Sequence, residues 1–299
     1  GIQHPCYLMF NQYPRCRSRV YPPSSIENVD DRTRAEYIDR CKKLPKASLK
    51  LNHVFGSSGS PGSVISINVE NQQSNLIAFS ASAVVVVVNV SNRIDREEKK
   101  SKHSQNIFTL HSDEVTCLCT RTNLIASSEL GFTPKVMVWN ATTFELVGPV
   151  VSLMERSVSC QTMAFVNSQL LAAMTNDQNH SIAIIAYKSG TILCNARSGP
   201  SLTYGIMVQK KLQFDSIKCK SLISFGKRHL RFWVFDQNEN KITSSTKSTS
   251  SDVLCGAIVE EYKCVIAGQG NGTITFWIQN IKKAEDNRGE GGEESFELT

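Results

Sequence analysis

The sequence predicts an all-β fold, a β-propeller of four-stranded repeats, and three observations carry that expectation. First, short runs of β-branched and aromatic residues recur, each ending in a bulky apolar residue: KVMVWN at 135–140, SIAIIAY at 181–187, LRFWVF at 230–235 and TITFWI at 273–278. A degenerate early copy, AVVVVVNV, occupies 83–90. Second, the terminal bulky residues Val88, Trp139, Ile185, Trp233 and Trp277 are spaced by 51, 46, 48 and 44 residues. A period in the forties is the length of one WD-type blade of four short strands. Third, the units share an internal order. In the second, HSDEV (111–115) opens the repeat, VTCLCT makes the inner strand, 124–128 the next, KVMVWN the third and FELVGPVV the outer fourth. In the fifth, VLCGAIV, CVIAG and TITFWI follow the same order, with GQGNG (268–272) as the tight turn before the third strand, where glycine supplies positive φ cheaply.

Along the chain, residues 1–43 contain Pro14, Pro22 and Pro23 and a helix-like stretch, DDRTRAEYIDRCKK (30–43), and are expected to form an extended lead-in with a short helix. Residues 44–281 are expected to hold the blades, the first and most degenerate ending near 90. The charged run RIDREEKKSK (93–102) reads as a solvated loop. Blades two to five are expected at roughly 103–149, 150–198, 199–248 and 249–281, with SSTKSTSSD (244–252) as an inter-blade loop. The remainder, 282–299, reads as a polar loop and, at SFELT, the start of a further strand.

The bulky residues have a packing logic. At the end of a blade's third strand a large flat side chain covers the seam to the neighbouring blade and buries more area than an aliphatic one. Trp139, Trp233 and Trp277 are therefore core residues, and the seams at Ile185 and Val88 are expected to be less well filled. His111, just before an inner strand, is expected to hydrogen-bond within its blade. In GKRHLRFWVF (226–235), strand alternation puts Leu230, Phe232 and Val234 on one face and Arg231, Trp233 and Phe235 on the other.

Composition sets the class. Of the 299 residues, 40% are hydrophobic and 20% charged, enough apolar material for a substantial core. The most apolar run, 83–88, is far short of the ~20 residues a membrane helix needs. The N-terminus, which does not begin with Met, lacks the basic and apolar regions of a signal peptide. Ten cysteines are present, but Cys117, Cys119, Cys160, Cys255 and Cys264 lie in or beside apolar strand-like runs, and no C-x-x-C pair occurs. A reducing compartment is the expectation. The net charge is +6, unevenly placed: 203–231 carries Lys210, Lys211, Lys218, Lys220, Lys227, Arg228 and Arg231 against Asp215.

Candidate chemistry finds no residues to carry it. His111, Ser112 and Asp113 name the types of a hydrolase triad, but triads are assembled by the fold rather than by adjacency. GSSGSPGS (56–63) lacks the Gly-Lys-Ser/Thr ending of a phosphate loop. GQGNGT precedes a strand, which removes the helix N-terminus that dinucleotide binding uses. Asp177 and His180 share a loop whose expected partner is a turn backbone rather than a metal. The expectation is no enzyme activity, no cofactor, no metal, and no nucleic-acid, membrane or small-molecule ligand.

The stretch LPKASLKLNHVFGSSG (44–59) resembles the hydrophobic (HELP) motif of echinoderm microtubule-associated protein-like (EMAP-like) proteins. ASAVVVVVNV (81–90) is similar to that family's valine-rich strand, HSDEVTCL (111–118) to its first clear repeat opening and PKVMVWNATT (134–143) to its Val-Trp-Asp-Ser strand end. NDQNHSIAI (176–184), FGKRHLRFW (225–233) and VLCGAIVEEYKCVIAGQGNGTITFW (253–277) follow in the family's order, and YPPSSIENVDD (21–31) resembles the segment before the motif. The resemblance covers about 10–280. Departures are Ile185 for the third blade's usual Trp, Ala186 for the following acid, and the lack of an N-terminal coiled coil. The resemblance implies tandem seven-bladed propellers; about five blades are visible, so the chain is expected to be part of a longer protein or to be closed by further material. It also implies association with tubulin or microtubules in the cytoplasmic cytoskeleton, and in cilia. Tubulin is acidic, which makes Lys210, Lys211, Lys227 and Arg228 candidate contacts. A generic WD-repeat scaffold that holds other complexes without touching tubulin fits the fold equally well.

Overall fold

The computed structural model describes residues 51–59, 64–68, 75–90, 105–153, 158–209, 219–281 and 294–298. It divides into two compact units, 1–56 and 57–299. The described part of the first, 51–56, has no regular structure, and its His53 and Phe55 rings lie 4.5 Å apart. The lead-in and helix expected at 1–43, and the start of the hydrophobic motif, lie outside the described residues.

Among the described residues, the second unit holds twenty strands in five sheets. The first blade holds β1 (Val64–Asn68), β2 (Asn75–Ala81), β3 (Val84–Val90) and β4 (Gln105–Phe108). The second holds β5 (Val115–Arg121), β6 (Leu124–Glu129), β7 (Lys135–Asn140) and β8 (Val151–Ser152). In the third are β9 (Cys160–Phe165), β10 (Leu170–Thr175), β11 (Ile182–Ala186) and β12 (Thr191–Ala196). The fourth comprises β13 (Thr203–Val208), β14 (Cys219–Gly226), β15 (His229–Asp236) and β16 (Lys241–Ser248). The fifth comprises β17 (Val253–Val259), β18 (Cys264–Gln269), β19 (Ile274–Ile281) and β20 (Glu294–Leu298). Every sheet is an antiparallel meander in chain order, and the first strands abut in the series β1, β5, β9, β13, β17. This is the WD40-type propeller arrangement that the repeat predicts.

The register matches the sequence periodicity. The aligned third-strand residue faces an apolar residue of the second strand in each blade: Val88 pairs with Ile77, Trp139 with Ile125, Ile185 with Leu171, Trp233 with Leu222 and Trp277 with Val265. In blades two to five that residue is buried and turned to the preceding blade. Trp139 packs with Ile67, Val85, Val87 and Phe108, and its ring stacks on Phe108 at 4.2 Å. Trp233 packs with Met174, Ile182 and Ile184 of the third blade, and Trp277 with Phe225, Leu230 and Phe232 of the fourth. The two faces of β15 divide as alternation requires, Leu230 and Phe232 towards the fifth blade and Trp233 and Phe235 towards the third.

Three expectations need correction. The seam at Ile185 is filled, not loose: Ile185 is wholly buried, and Phe165 and Tyr187 meet edge to face at 5.6 Å beside it, two smaller rings doing together what one indole does elsewhere. At the other aliphatic position Val88 is half-buried while its neighbours Val85, Val86 and Val87 take the core. The serine- and threonine-rich stretch from Ser244 to Ser248 is not loop; it is the second half of β16 and pairs with His229–Trp233 of β15. An outer strand exposed on its edge needs backbone hydrogen bonds rather than apolar side chains, so a polar sequence serves. The blade limits move for a related reason. Gln105–Phe108 closes the first sheet rather than opening the second, and the further strand expected at SFELT is present as Glu294–Leu298 but belongs to the fifth blade as its outer strand, which carries that blade past 281.

Two close approaches require glycine. A Cβ at Gly148 would stand 2.1 Å from the Tyr187 carbonyl oxygen, and one at Gly226 would stand 2.0 Å from that of Leu202. Both positions lie where a loop presses on a strand end, and the backbone atoms there have nowhere to retreat.

Candidate functional site

The connections between second and third strands lie at the same end of each sheet as the entries to the first strands, and they form one loop face. That face is tied by a recurring backbone bond. Leu130 N–H donates to Glu114 O (2.7 Å), Asn176 to Ser159, Lys227 to Leu202 and Gly270 to Asp252 (each 2.8 Å), one bond in each of blades two to five. A second set joins successive blades: Val115 N–H to Ser82 O (2.8 Å), and Gly131 to Val158, Ser198 to Asn179 and Thr249 to Arg228 (each 3.0 Å). Loops tied in this way present their side chains on a fixed scaffold, the usual arrangement for binding residues.

In the second blade the loop face is anchored by a buried polar chain. Trp139 Nε1–H donates to Ser127 Oγ at 3.0 Å, and Ser127 Oγ lies 2.7 Å from His111 Nε2. His111 Nδ1 is 3.1 Å from Glu129 Oε2. Burial depresses the His111 pKa against the opposing pull of Glu129, so the ring is neutral near pH 7. One tautomer then satisfies every atom: the Ser127 hydroxyl donates to Nε2, and Nδ1–H donates to Glu129. Burial alone would raise the Glu129 pKa, but the Ser112 amide, Lys135 Nζ, the Ser112 hydroxyl and His111 outweigh it and hold the carboxylate below its ordinary range. Ser112 N–H sits 2.8 Å from Oε2, and Lys135 Nζ 3.1 Å from Oε1.

The other blades carry partial versions. In the fifth, Trp277 Nε1–H donates to Thr275 Oγ1, Gln269 Nε2 donates to the same oxygen, and Ser250 Oγ donates to Gln269 Oε1, each at 3.3 Å. In the fourth, Trp233 Nε1–H reaches Ser224 Oγ at 2.9 Å, and Arg231 lies over the indole, its Cζ 5.4 Å from the ring. The third has no indole. There Asp177 holds its own loop, accepting from Ser181 N–H at 2.7 Å and from the Ser181 and Thr175 hydroxyls at 2.9 Å. Asp177 and His180, which share that loop, are not paired as metal ligands; among the described residues no group of three or more His, Cys, Asp or Glu is placed to hold a metal ion.

Of the basic residues singled out in the sequence, Lys227 and Arg228 form the two-residue turn between β14 and β15, exposed at the loop face, with Arg228 at φ 54°. Lys210 and Lys211 lie outside the described residues. His111 sits in the loop before β5; Trp139, Ile185, Trp233 and Trp277 lie in the seams. Sequence reading missed Ser127 and Glu129, the centre and the end of the polar chain. Their signal is Ser-x-Glu at the end of a second strand, with a histidine in the loop before the first strand and a tryptophan twelve residues after the serine, and it is legible only once the strands are placed. The buried thiols are packing atoms. Cys117 and Cys160 meet between the second and third blades, and a hydrogen bond with Cys160, followed by burial, pushes the Cys117 thiol well above its usual range.

Comparison with known proteins places this geometry. No family model matches the chain. Echinoderm microtubule-associated protein-like 4 of Mus musculus is 21% identical over 280 residues, covering 91% of this chain and 26% of that protein. The 77 kDa echinoderm microtubule-associated protein of Lytechinus variegatus is 23% identical over 216 residues, covering 71% of this chain and 30% of that protein. Echinoderm microtubule-associated protein-like 1 of Mus musculus is 21% identical over 280 residues, 90% of this chain and 33% of that protein. The matches support an EMAP-like family. The chain spans about a quarter to a third of the length of these curated relatives. Among solved structures, a chain of the mitotic checkpoint complex superposes with a TM-score of 0.51 at 14% identity, covering 73% of this chain and 69% of that one, a likeness of fold alone.

Proposed function

We propose that this EMAP-like chain is a non-enzymatic, microtubule-associated WD-repeat protein that holds tubulin through the loop face of its blades, in the cytoplasmic cytoskeleton and in ciliary axonemes. The observation that carries the reading is the similarity to microtubule-associated proteins over some nine-tenths of the chain, on a propeller scaffold. The loop face supports it. Lys227 and Arg228 project there from a turn whose backbone is fixed on both sides, by Lys227 N–H to Leu202 O and by Thr249 N–H to Arg228 O. Fixed exposed cations raise the rate and selectivity of encounter with an acidic partner. The polar chains inside the blades orient the loops and take part in no reaction. Neither a small molecule, nucleic acid nor a membrane is needed as ligand.

Charge reversal tests the site. In co-sedimentation with microtubules, the full-length protein carrying Lys210→Glu, Lys211→Glu, Lys227→Glu and Arg228→Glu is expected to remain in the supernatant at concentrations where the parent pellets. A fully folded variant that pellets like the parent would show that these residues are not the contact.

A further inference from the structure

We propose that a notch at the loop face, between the third and fourth blades, binds the carboxylate of an acidic side chain from a partner protein, with Arg231, Thr203, His229 and His180 as its walls. The inference does not rest on the partner being tubulin. Gly226, at the end of β14, pairs with Thr203 on one side and His229 on the other, so these two stand abreast at the end of the fourth sheet. Arg231 follows His229 by two residues and shares its face, the one that Trp233 and Phe235 turn to the third blade. Facing them is the loop between β10 and β11, in which His180 adopts φ 44° and the neighbouring Asn179 carbonyl accepts from Ser198 N–H (3.0 Å) and Gly199 N–H (2.8 Å), Gly199 in turn lying against Arg231 Nη2.

The four side chains share an unusual property. Among the described residues, six buried side-chain nitrogen or oxygen atoms have no hydrogen-bond partner, and four of them are Thr203 Oγ1, His180 Nδ1, His229 Nε2 and Arg231 Nε. Thr203 is 1% exposed, His229 5% and His180 8%. Buried polar groups are ordinarily paired, and an unmade bond is expensive, so four converging on one seam mark a place where a ligand belongs.

The chemistry selects the ligand. Arg231 Nη1 donates to Arg197 O at 3.4 Å, which leaves the Nε and Nη2 edge of the guanidinium, the edge that grips a two-oxygen acid in parallel bonds. Nη2 lies against Gly199, where no side chain intrudes. His229 Nδ1 is committed to Lys227 O at 3.1 Å and must be its protonated nitrogen, so Nε2 is the atom turned to the notch. The charged groups around it are Arg197 from the loop before β13, Lys227 and Arg228 from the β14–β15 turn, Arg231 and His229 on β15, and Asp177 and His180 from the facing loop. Asp177 is the acid among these, and its carboxylate is already taken by Ser181 and Thr175. An incoming carboxylate accepts from Arg231 and from the Thr203 hydroxyl. It accepts from His229 once Nε2 takes up a proton, and because burial lowers the His229 pKa, binding tightens as pH falls below the ordinary histidine value.

The test uses a fluorescently labelled oligoglutamate peptide and the full-length protein, with binding read by anisotropy. Arg231→Gln and Thr203→Val are each expected to weaken binding about tenfold, the scale of one lost charge-assisted bond, in salt that already screens the rim lysines. Thr203→Val keeps shape and fold, so it decides the matter if Arg231→Gln melts early. Wild-type affinity in a folded Thr203→Val protein would mean that solvent satisfies these atoms, and the proposal falls. Displacement of the peptide by inorganic phosphate but not by acetate would assign the notch to phosphoryl groups and overturn the carboxylate reading. Microtubule co-sedimentation of the same variants separates this notch from tubulin binding: loss of peptide affinity alone leaves the proposal standing by itself.

Discussion

Replacing Ser127 by alanine removes one oxygen from the centre of the second blade and orphans two groups at once. Trp139, wholly buried, loses the acceptor for its indole N–H, and His111 Nε2, also buried, loses its donor. No solvent reaches either atom, so each lost partner costs about 1–3 kcal/mol, and the substitution is expected to destabilise by about 2–4 kcal/mol. Ser224→Ala in the fourth blade is the internal standard. Ser224 is equally buried and accepts from the Trp233 indole, but no histidine stands behind it, so its loss is expected to cost about 1–2 kcal/mol. Denaturant unfolding of both variants, compared at constant slope, gives the difference directly. In a Trp139→Phe background, Ser127→Ala is expected to cost about 1 kcal/mol less, because one of its two dependants is gone. A Ser127→Ala protein no less stable than Ser224→Ala, or with an unchanged cost in the Trp139→Phe background, would refute the chain of bonds.

Two further predictions follow from the same geometry. Gly148→Ala drives a methyl group against the Tyr187 carbonyl oxygen and is expected to lower stability by about 1–3 kcal/mol, while alanine at the exposed Gly270 changes it little; thermal unfolding distinguishes them. Stability is also expected to fall as the pH falls, in two stages. His111 has its folded pKa lowered below 6.5, so the unfolded chain takes up a proton first and stability drops as pH falls from the ordinary histidine pKa to the folded one. Glu129, also lowered from 4.5, adds stability above its unfolded pKa that is lost as pH falls through its folded value. Unfolding midpoints of the parent and of His111→Gln across this range check the assignment: the variant is expected to lack the upper stage and keep the lower.

The fold was legible because a blade repeats its costliest feature. Trp139, Trp233 and Trp277 recur at the blade period, and the strands around them are written in β-branched residues whose alternation fixes which face is buried. Where a blade solves the same problem with different residues, the signal disappears. Phe165 at the end of β9 and Tyr187 in the turn just after β11 fill the third seam, a substitution visible only in three dimensions. The outer strand β16 is Ser- and Thr-rich because its edge meets solvent, and it reads as loop to any argument from hydrophobicity. Glu129 looks like a solvated strand end until Ser112, Lys135 and His111 are seen to converge on it. Thr203, His180 and His229 are separated by as many as 49 residues and come together only through the seam between two blades. Lys227 and Arg228, by contrast, were recognisable from charge and lie in an exposed turn.

The most direct test of the central claim is co-sedimentation of the full-length protein with microtubules across a salt series. The account predicts pelleting at low salt that weakens steadily as salt screens an electrostatic contact. A folded protein that stays in the supernatant even at low salt would contradict microtubule association, and a propeller that serves a different partner would remain.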